Sequence, residues 1–179
     1  MLQIRLATAA DLPAINDIYN HYVPISTTTY DVQPMSLETR RQWFENRDAI
    51  HPVTVAYYQD DESSFPPASS LQPLASPIVG WGSLHTFRNK SGYRLTVENS
   101  VYVHPDRQRE GIGSAILLDQ IERAKALGLH VIVAGIDAEQ TPSLALHYKH
   151  GFREVGRFPE VGRKFDRWLE AIFMQLTLE

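Results

Sequence analysis

The sequence predicts a single α/β domain that folds around one sheet. Its length of 179 residues suits one domain, because globular domains run to roughly 100–200 residues. Segments with strand-like and helix-like periodicity follow one another in the order β-α-α-β-β-β-α-β-α-β-β. Residues 130–136 (HVIVAGI) are almost continuously apolar, which is typical of a strand buried on both faces of a sheet. We therefore expect one domain over residues 1–179.

Composition excludes several classes of protein. The chain is 43% hydrophobic and 21% charged, which excludes a disordered, collagen-like or coiled-coil chain. It has no cysteine, so disulfide scaffolds, thiolate zinc sites and cysteine nucleophiles are excluded together. A net charge of -4 argues against a nucleic-acid-binding surface, and no apolar run approaches the roughly 18 residues of a membrane span. Since the first residues also lack a secretory signal, we expect a cytoplasmic protein that binds neither nucleic acid nor membrane.

Helix boundaries are marked by capping residues and by proline or glycine. Thr8 and Asp11 resemble a capping box ahead of an amphipathic helix that ends before Pro24, and Ser36 should cap a second helix. Two later helices are predicted from Gly111 to about Leu127, and over Pro142–His150 with Thr141 as its cap.

The strands are predicted by runs of β-branched and aromatic residues. Besides residues 2–7 and 130–136, they are expected at Val53–Tyr58, Ile78–Thr86, Tyr93–Val103, Phe152–Val161 and Ala171–Leu178. Alternation slips around residues 98–100, which suggests a bulge or an end to regular pairing. Residues 60–77 are rich in serine and proline, so we expect a flexible loop insertion between two strands there.

The segment from Val101 to Ser114 (VYVHPDRQREGIGS) carries the clearest chemical signal. A strand runs into a short basic loop with glycines, and the loop opens a helix whose first N–H groups have no intrahelical partner. Such groups and the helix dipole favour a phosphate or pyrophosphate, and Arg107 and Arg109 add positive charge. A Walker loop would need lysine after Gly113, and a dinucleotide motif would need a third glycine, so both are excluded.

Residues 108–113 (QREGIG) match the [RQ]-x-x-G-x-[GA] motif of the GCN5-related N-acetyltransferases, or GNAT proteins. Four further segments resemble the phosphinothricin and methionine sulfoximine acetyltransferase branch. They are RLATAADLPAINDIYNHYV, YRLTVENSVYVHP, GLHVIVAGIDAEQTPSLALHYKHGF and VGRKFDRWLEAIFMQL. The resemblance implies a GNAT-like fold with a mixed, mostly antiparallel sheet that splays between strands 4 and 5. It also implies a homodimer and acetyl-CoA as the acetyl donor.

The resemblance assigns cofactor contacts to this chain. Pyrophosphate would bind the backbone of residues 109–114, and pantetheine would pair with the edge of residues 101–103. Gln140 stands where the family has an asparagine that touches pantetheine. Lys149 would lie along CoA, or else is an ordinary surface lysine. The expected cofactor-binding residues are Val101, Tyr102, Val103, Arg109, Glu110, Gly111, Ile112, Gly113, Ser114, Gln140 and Lys149.

Two side chains are candidates for catalysis. An amine attacks a thioester only as the free base, so Glu98 could remove a proton if burial raises its pKa; otherwise it is a strand glutamate facing solvent. His147 stands where the wider family has a tyrosine near the thioester sulfur, and it could protonate the leaving thiolate or only pack there. The backbone N–H of Val101 could stabilise the developing oxyanion. With no cysteine and no G-x-S-x-G elbow, we expect direct transfer in a ternary complex.

The acceptor should be a small-molecule amine. The resemblance places it near Ser91, Gly92 and Tyr93, close to Glu98. Arg88 and Arg94 could pair with its carboxylate or phosphinate, or else form exposed ion pairs. Tyr30 and Trp81 could be apolar walls of its pocket, or ordinary core residues.

No metal is expected, because His147 and His150 lack a third ligand. The leading hypothesis is N-acetylation of a small amino acid or analogue, such as phosphinothricin, methionine sulfoximine or methionine sulfone. Two alternatives stay open: an acetyltransferase for a polyamine or a protein N-terminus, and a non-catalytic CoA-binding regulatory module.

Overall fold

The structure is a computed structural model and describes residues 1–59 and 77–179. The predicted loop insertion at 60–77 therefore lies, apart from Pro77, outside the described residues. Seven strands form one sheet in the order β1-β2-β3-β4-β5-β7-β6. The strands are β1 (Leu2–Leu6), β2 (Val53–Tyr58), β3 (Ile78–Thr86), β4 (Thr96–Val103), β5 (Val131–Asp137), β6 (Arg153–Lys164) and β7 (Arg167–Thr177). The helices are α1 (Leu12–Tyr22), α2 (Leu37–Glu45), α3 (Ile112–Ala126) and α4 (Thr141–Lys149).

The sheet is mixed and mostly antiparallel, as predicted. Strands β4 and β5 form its parallel pair, and every other neighbouring pair described is antiparallel. The pairing of β4 with β5 covers only Thr96–Glu98 against Val131–Val133. Beyond Glu98 the two strands diverge, which confirms the predicted splay between strands 4 and 5.

Two details of β4 differ from the prediction. The strand begins at Thr96 rather than Tyr93, because residues 91–93 form a 3-10 turn in which the Arg94 N–H donates to the Ser91 carbonyl (3.2 Å). Of the two alternatives for the slip around residues 98–100, the bulge is wrong, because the β3–β4 register is continuous from Val97 to Val103. The end to regular pairing is confirmed, because pairing with β5 stops at Glu98. The break in apolar alternation is Asn99, a polar residue that is buried on the same face as Val97.

The helix starts follow their capping residues with one exception. Thr8 and Asp11 form the predicted capping box around a 3-10 turn that leads into α1, and the Ser36 hydroxyl accepts from the Thr39 N–H at the start of α2. In α4 the cap is Gln140 rather than Thr141, since the Ser143 N–H donates to the Gln140 carbonyl (2.9 Å).

Helices cover both faces of the sheet. Side chains of β4, β5 and β7 pack with α3 on one face, around Leu117, Ile132 and Phe152. On the other face α1 packs against β2 and β3, around Ile15 and Trp81. Each face therefore has its own apolar core, and the splay between β4 and β5 opens between them. No helix in the described residues is long and apolar enough to cross a membrane.

Candidate active site

A groove runs along the diverging edge of β4 and past the start of α3. It is bounded by the end of β4, by the loop that enters α3 and by the first turns of α4. Its lining residues are Tyr22, Thr28, Val101, Tyr102, Val103, Arg107, Gln108, Arg109, Gly111, Ile112, Gly113, Ser114, Gln140, Pro142, Ser143 and Leu146. Nine of the eleven predicted cofactor-binding residues are among them, while Glu110 and Lys149 are not. The Glu110 carboxylate instead accepts a hydrogen bond from the Tyr58 hydroxyl (2.9 Å).

The loop before α3 has the backbone geometry of an anion cradle. Arg109 (φ 65°) and Gly111 (φ 82°) both adopt the left-handed region, which curls successive N–H groups towards one side. The Gln108 amide donates to the Tyr22 hydroxyl (2.9 Å), and that hydroxyl donates to the Val103 carbonyl (2.6 Å). The side chain of the motif glutamine thus ties the loop to the end of β4.

Gly113 keeps the floor of the groove open. A Cβ atom at this position would lie 3.4 Å from Leu146 Cδ2 and 3.5 Å from Val103 Cγ2. It would therefore occupy the space between β4 and α4, at the point where the free N–H groups of α3 begin. Backbone donors, a helix N-terminus and the nearby Arg107 and Arg109 side chains suit a pyrophosphate.

The edge of β4 offers unpaired backbone groups to the groove. The His104 N–H donates to the Val79 carbonyl (2.8 Å), which makes residues 79 and 104 a hydrogen-bonded pair of the β3–β4 ladder. Hydrogen-bonded and non-hydrogen-bonded residue pairs alternate along an antiparallel ladder. The backbone of Tyr102 therefore also bonds to β3, while the N–H and C=O groups of Val101 and Val103 point away from β3. On that side β5 has already diverged from β4.

A smaller pocket fills the gap between the diverging strands. It is lined by Thr28, Asn99, Ser100, Val101, Tyr102, Ala134, Gly135, Ile136, Asp137, Gln140, Ser143 and His147. The groove and this pocket share Val101, Tyr102, Gln140 and Ser143, so they are continuous. A chain-like ligand can therefore extend from the loop before α3 into the gap in the sheet.

Glu98 stands at the point where β4 and β5 part. It is the last residue of β4 paired with β5, and its Oε1 lies 3.1 Å from where a Cβ would stand on Gly135. Gly135 lines the gap pocket. Burial raises the pKa of the Glu98 carboxyl, while the positive charge of Arg88 opposes that rise. A half-buried carboxylate with a raised pKa at the mouth of a gap suits a general base.

The comparisons with known proteins agree with this geometry. The Acetyltransferase (GNAT) family matches residues 15–152, which is more than half of the chain. The chain belongs to the GNAT acetyltransferase family. An L-methionine sulfoximine/L-methionine sulfone acetyltransferase of Pseudomonas aeruginosa is 40% identical over 177 residues, covering 98% of this chain and 94% of that protein.

Two solved structures extend the likeness to the fold and the acetyl donor. A Salmonella typhimurium protein, described as a candidate acetyltransferase and solved with acetyl-CoA, has a TM-score of 0.85 at 36% identity and covers 99% of this chain and 94% of its own. A phosphinothricin acetyltransferase of Sinorhizobium meliloti, in complex with acetyl-CoA, has a TM-score of 0.86 at 32% identity, with coverages of 99% and 88%. This GNAT chain is therefore an acetyltransferase by family, and its structural neighbours bind acetyl-CoA.

His147 is held on both sides of its ring. Its Nδ1 lies 2.8 Å from the Ser143 carbonyl, to which it must donate, and its Nε2 lies 3.2 Å from Asn99 Nδ2, from which it must accept. Burial lowers the pKa of the imidazole. In the neutral ring that results, Nε2 carries no proton to give. The geometry thus favours the packing alternative over the general acid.

The predicted acceptor residues divide into two groups. Arg88 and Tyr93 line an open cavity together with Thr86, Phe87, Asn89 and Lys90. Ser91 and Gly92 lie in the exposed 3-10 turn beside that cavity without lining it, and Arg94 is exposed beyond them.

The two predicted aromatic walls lie outside this open cavity. The Tyr30 hydroxyl donates to Asp137 (2.8 Å), and its ring packs on Gly162. Trp81 is 2% exposed, belongs to the core beside α1 and stacks on Tyr102. Within residues 1–59 and 77–179, no cluster of acidic and histidine side chains could hold a metal ion.

Sequence reasoning missed a buried polar chain behind the gap. The Asn99 amide donates to Gln120 Oε1 (3.1 Å), and Gln120 Nε2 donates to the Ser100 carbonyl (2.8 Å). Asn99 Oδ1 is buried without a hydrogen-bond partner among the described residues. The sequence carries one signal of this network: Asn99 is a polar residue at a position of an apolar strand that faces the core.

A second missed element is the loop at residues 26–30, which borders both pockets. The Gln140 amide donates to Thr27 Oγ1 (2.9 Å) and accepts from Thr28 Oγ1 (3.2 Å). The buried Lys164 ammonium donates to the carbonyls of Ser26 (2.8 Å) and Thr29 (2.6 Å). Compared with the asparagine of the family, Gln140 has one more methylene, and its amide holds this loop against α4.

Proposed function

We propose that this protein transfers the acetyl group of acetyl-CoA to the α-amino group of a small amino acid or analogue. The observation that carries the proposal is the position of Glu98, where β4 and β5 part beside the gap pocket. The named relatives support the acceptor class, which includes methionine sulfoximine, methionine sulfone and phosphinothricin.

The groove residues fit the donor. The N–H groups of residues 109–114 and the Arg107 and Arg109 side chains would hold its pyrophosphate. The free carbonyl of Val101 and the free N–H of Val103 would pair with its pantetheine arm. When bound, acetyl-CoA supplies an activated acyl group whose carbonyl carbon can be attacked by an amine.

Glu98 would take the proton that the acceptor amine must lose, directly or through a water molecule. Its raised pKa brings the carboxylate nearer to the operating pH, which improves proton transfer. The Val101 N–H, directed into the gap, would stabilise the developing oxyanion. His147 would act by position only, holding Asn99 and closing the back of the gap.

The charge near Glu98 favours an amino acid over a polyamine. Arg88 and Lys90 line the open cavity beside Tyr93, and none of the described residues that line it is acidic. A carboxylate on the acceptor would pair with the Arg88 guanidinium, while a polycation would be repelled.

A homodimer in the cytoplasm completes the proposal. Large apolar side chains are exposed along the β6–β7 hairpin, including Val155, Phe158, Val161 and Trp168. Several exposed apolar side chains on one hairpin suit a contact with a second copy. Sedimentation of the protein and of a Val161→Glu, Trp168→Glu variant tests this: the variant should be monomeric.

The decisive experiment measures thiol release from acetyl-CoA with methionine sulfone, methionine sulfoximine, phosphinothricin, common amino acids and spermidine. Turnover with one of the first three, together with a large loss of kcat in Glu98→Gln, is expected. Glu122→Gln, an exposed carboxylate on the outer side of α3, is the matched control and should keep full activity. Acetyl-CoA binding without turnover on any amine would instead favour a CoA-binding regulatory module.

A further inference from the structure

Arg40 of α2 is a buried cation without a carboxylate partner. Its side chain is 2% exposed, and among the described residues no acidic oxygen lies within 4.0 Å of its guanidinium. Its Nε donates a long hydrogen bond to Asn16 Oδ1 (3.3 Å), while Nη2 is buried and has no acceptor within the described chain. The Asp31 carboxylate attracts the Arg40 cation only from beyond salt-bridge distance, and it accepts a hydrogen bond from the Tyr19 hydroxyl (2.6 Å).

Aromatic rings offset only part of the free-energy cost of burying the Arg40 charge. The guanidinium carbon lies 4.6 Å from the centre of the Tyr19 ring, 4.8 Å from that of Trp43 and 5.4 Å from that of Trp81. Cation–π contacts stabilise the charge but provide no acceptor for its Nη2 group. The buried Lys164 shows the contrast, because two backbone carbonyls accept from its ammonium.

Arg40 lines a cavity that offers hydrogen-bond donors and apolar surface but no negative charge. The cavity is lined by Tyr19, Met35, Arg40, Trp43, Trp81, Ser83, His85, Ser100 and Tyr102. A second donor in its wall, the Trp81 indole Nε1, is also buried without a partner in the described chain. Leaving two buried donors unpaired is unfavourable, so a ligand that supplies acceptors would gain binding free energy by pairing with both donors.

The cavity adjoins the proposed active site. Ser100 and Tyr102 line both this cavity and the gap pocket. In the β3–β4 ladder Ser83 pairs with Ser100 and His85 pairs with Glu98, so these side chains share one face of the sheet. Ser100 lies two residues along β4 from Glu98, which is about 7 Å. A small amino acid can span that distance with its amine at Glu98 and its side chain in the cavity.

We propose that this cavity binds the oxygen-bearing end of the acceptor's side chain, a tetrahedral sulfur or phosphorus centre such as a sulfone or phosphinate. Arg40 and Trp81 donate to its oxygens, and Trp43 and Met35 pack against its methyl group. This inference rests on the proposed function, since the acceptor must have its amine at Glu98. It adds a second recognition point, separate from Arg88, that selects the oxidised or anionic side-chain end.

The test compares methionine sulfone with methionine, which lacks the sulfone oxygens. The main variant is Arg40→Met, which keeps an unbranched apolar stem among the aromatic rings and removes the donors. Replacing an unpaired buried charge with an apolar residue should preserve folding. Trp81→Phe removes the indole N–H and keeps an aromatic ring, and Arg41→Met, on the exposed side of α2, is the matched control.

In Arg40→Met, kcat/KM for methionine sulfone should fall about 10- to 100-fold, the value of a hydrogen bond to a charged group, while kcat/KM for methionine stays within about twofold. Trp81→Phe should show a smaller loss of the same kind, and Arg41→Met none. Equal losses for both acceptors in Arg40→Met and in Trp81→Phe, or no loss in either, would overturn the inference.

Calorimetric titration of methionine sulfone into the protein with CoA bound separates this inference from the proposed function. If no acceptor is acetylated but methionine sulfone binds the wild type and not Arg40→Met, the cavity assignment stands and the acetylation proposal fails. If methionine sulfone is acetylated and binds both proteins with the same Kd, the cavity assignment fails alone. Absence of both acetylation and binding rejects the two proposals together.

Discussion

Replacing Gly113 with valine should weaken acetyl-CoA binding, whereas alanine, which the family motif also allows at this position, should leave both binding and the fold intact. Gly113 is the second residue of α3 and its φ is not positive, so alanine can adopt its conformation. The new Cβ would lie 3.4 Å, 3.5 Å and 3.9 Å from atoms of Leu146, Val103 and Val101, which are ordinary van der Waals contacts. Alanine is favoured over glycine in a helix by up to about 1 kcal/mol. The free energy of unfolding of Gly113→Ala should therefore be unchanged or slightly raised.

The loss of affinity in Gly113→Val follows from its two γ-methyl groups. They would occupy the floor of the groove beside the first N–H groups of α3, so a bound pyrophosphate would have to move away from at least one donor. A hydrogen bond to a charged group contributes about 1.5–3 kcal/mol. The Kd for acetyl-CoA should therefore rise about 10- to 100-fold in Gly113→Val and stay within about threefold in Gly113→Ala.

Calorimetry with acetyl-CoA and thermal melts of Gly113→Val and Gly113→Ala measure affinity and stability independently. Gly128→Ala is a second control, because Gly128 has a positive φ of 70° at the far end of α3 and no atom near its Cβ position. That variant should be destabilised by about 1–2 kcal/mol and bind acetyl-CoA normally. A folded Gly113→Val with wild-type affinity would refute the assignment of the groove to the donor, and Gly113→Ala is its matched control.

Three other perturbations test the site. In Glu98→Gln the acidic limb of the pH profile of kcat/KM should disappear. Burial raises the pKa of this carboxyl in the folded state, so the free energy of unfolding of the wild type falls as the pH rises through that pKa. Urea titrations should therefore find that the stability of Glu98→Gln, compared with that of the wild type, is higher at pH 7 than at pH 4. Asn99→Leu, which leaves Gln120 Oε1 and His147 Nε2 without a partner, should lower the free energy of unfolding by about 1–3 kcal/mol; an unchanged denaturation midpoint would contradict the network. Lys164→Met should release the loop at residues 26–30 and raise KM for both substrates, and hydrogen exchange there should quicken relative to α3.

Periodicity and capping chemistry predict most of this fold because they are local. The order of strands and helices follows from apolar spacing, and Ser36 marks the start of α2 as expected. The errors occur where a tertiary contact overrides the local pattern. Asn99 interrupts an apolar strand without changing its register, because Gln120 and His147, distant in sequence, satisfy its amide.

The same distinction applies to the candidate site. The loop glycines and Glu98 lie in one contiguous segment, so a motif and a strand pattern suffice to find them. Arg40 and Lys164 are recognisable only when the chain is folded, because their environments come from residues far along the sequence. On the sequence alone each is one of 17 lysines and arginines, and nothing distinguishes it from a surface charge.

The divergence of β4 and β5 accounts for the arrangement of the candidate site. While β4 and β5 stay paired, through Glu98 and Val133, their backbone groups satisfy each other. Once the strands diverge, the backbone groups of Val101 lose their partner on β5. The gap also connects two cavities: the groove on one face of the sheet and the Arg40 cavity on the other, which the gap pocket meets at Ser100 and Tyr102. In the proposed mechanism, a donor that enters from the α3 side and an acceptor that enters from the α2 side would meet in this gap, beside Glu98. This convergence favours direct transfer between two bound substrates, because the reacting atoms are brought together in one place.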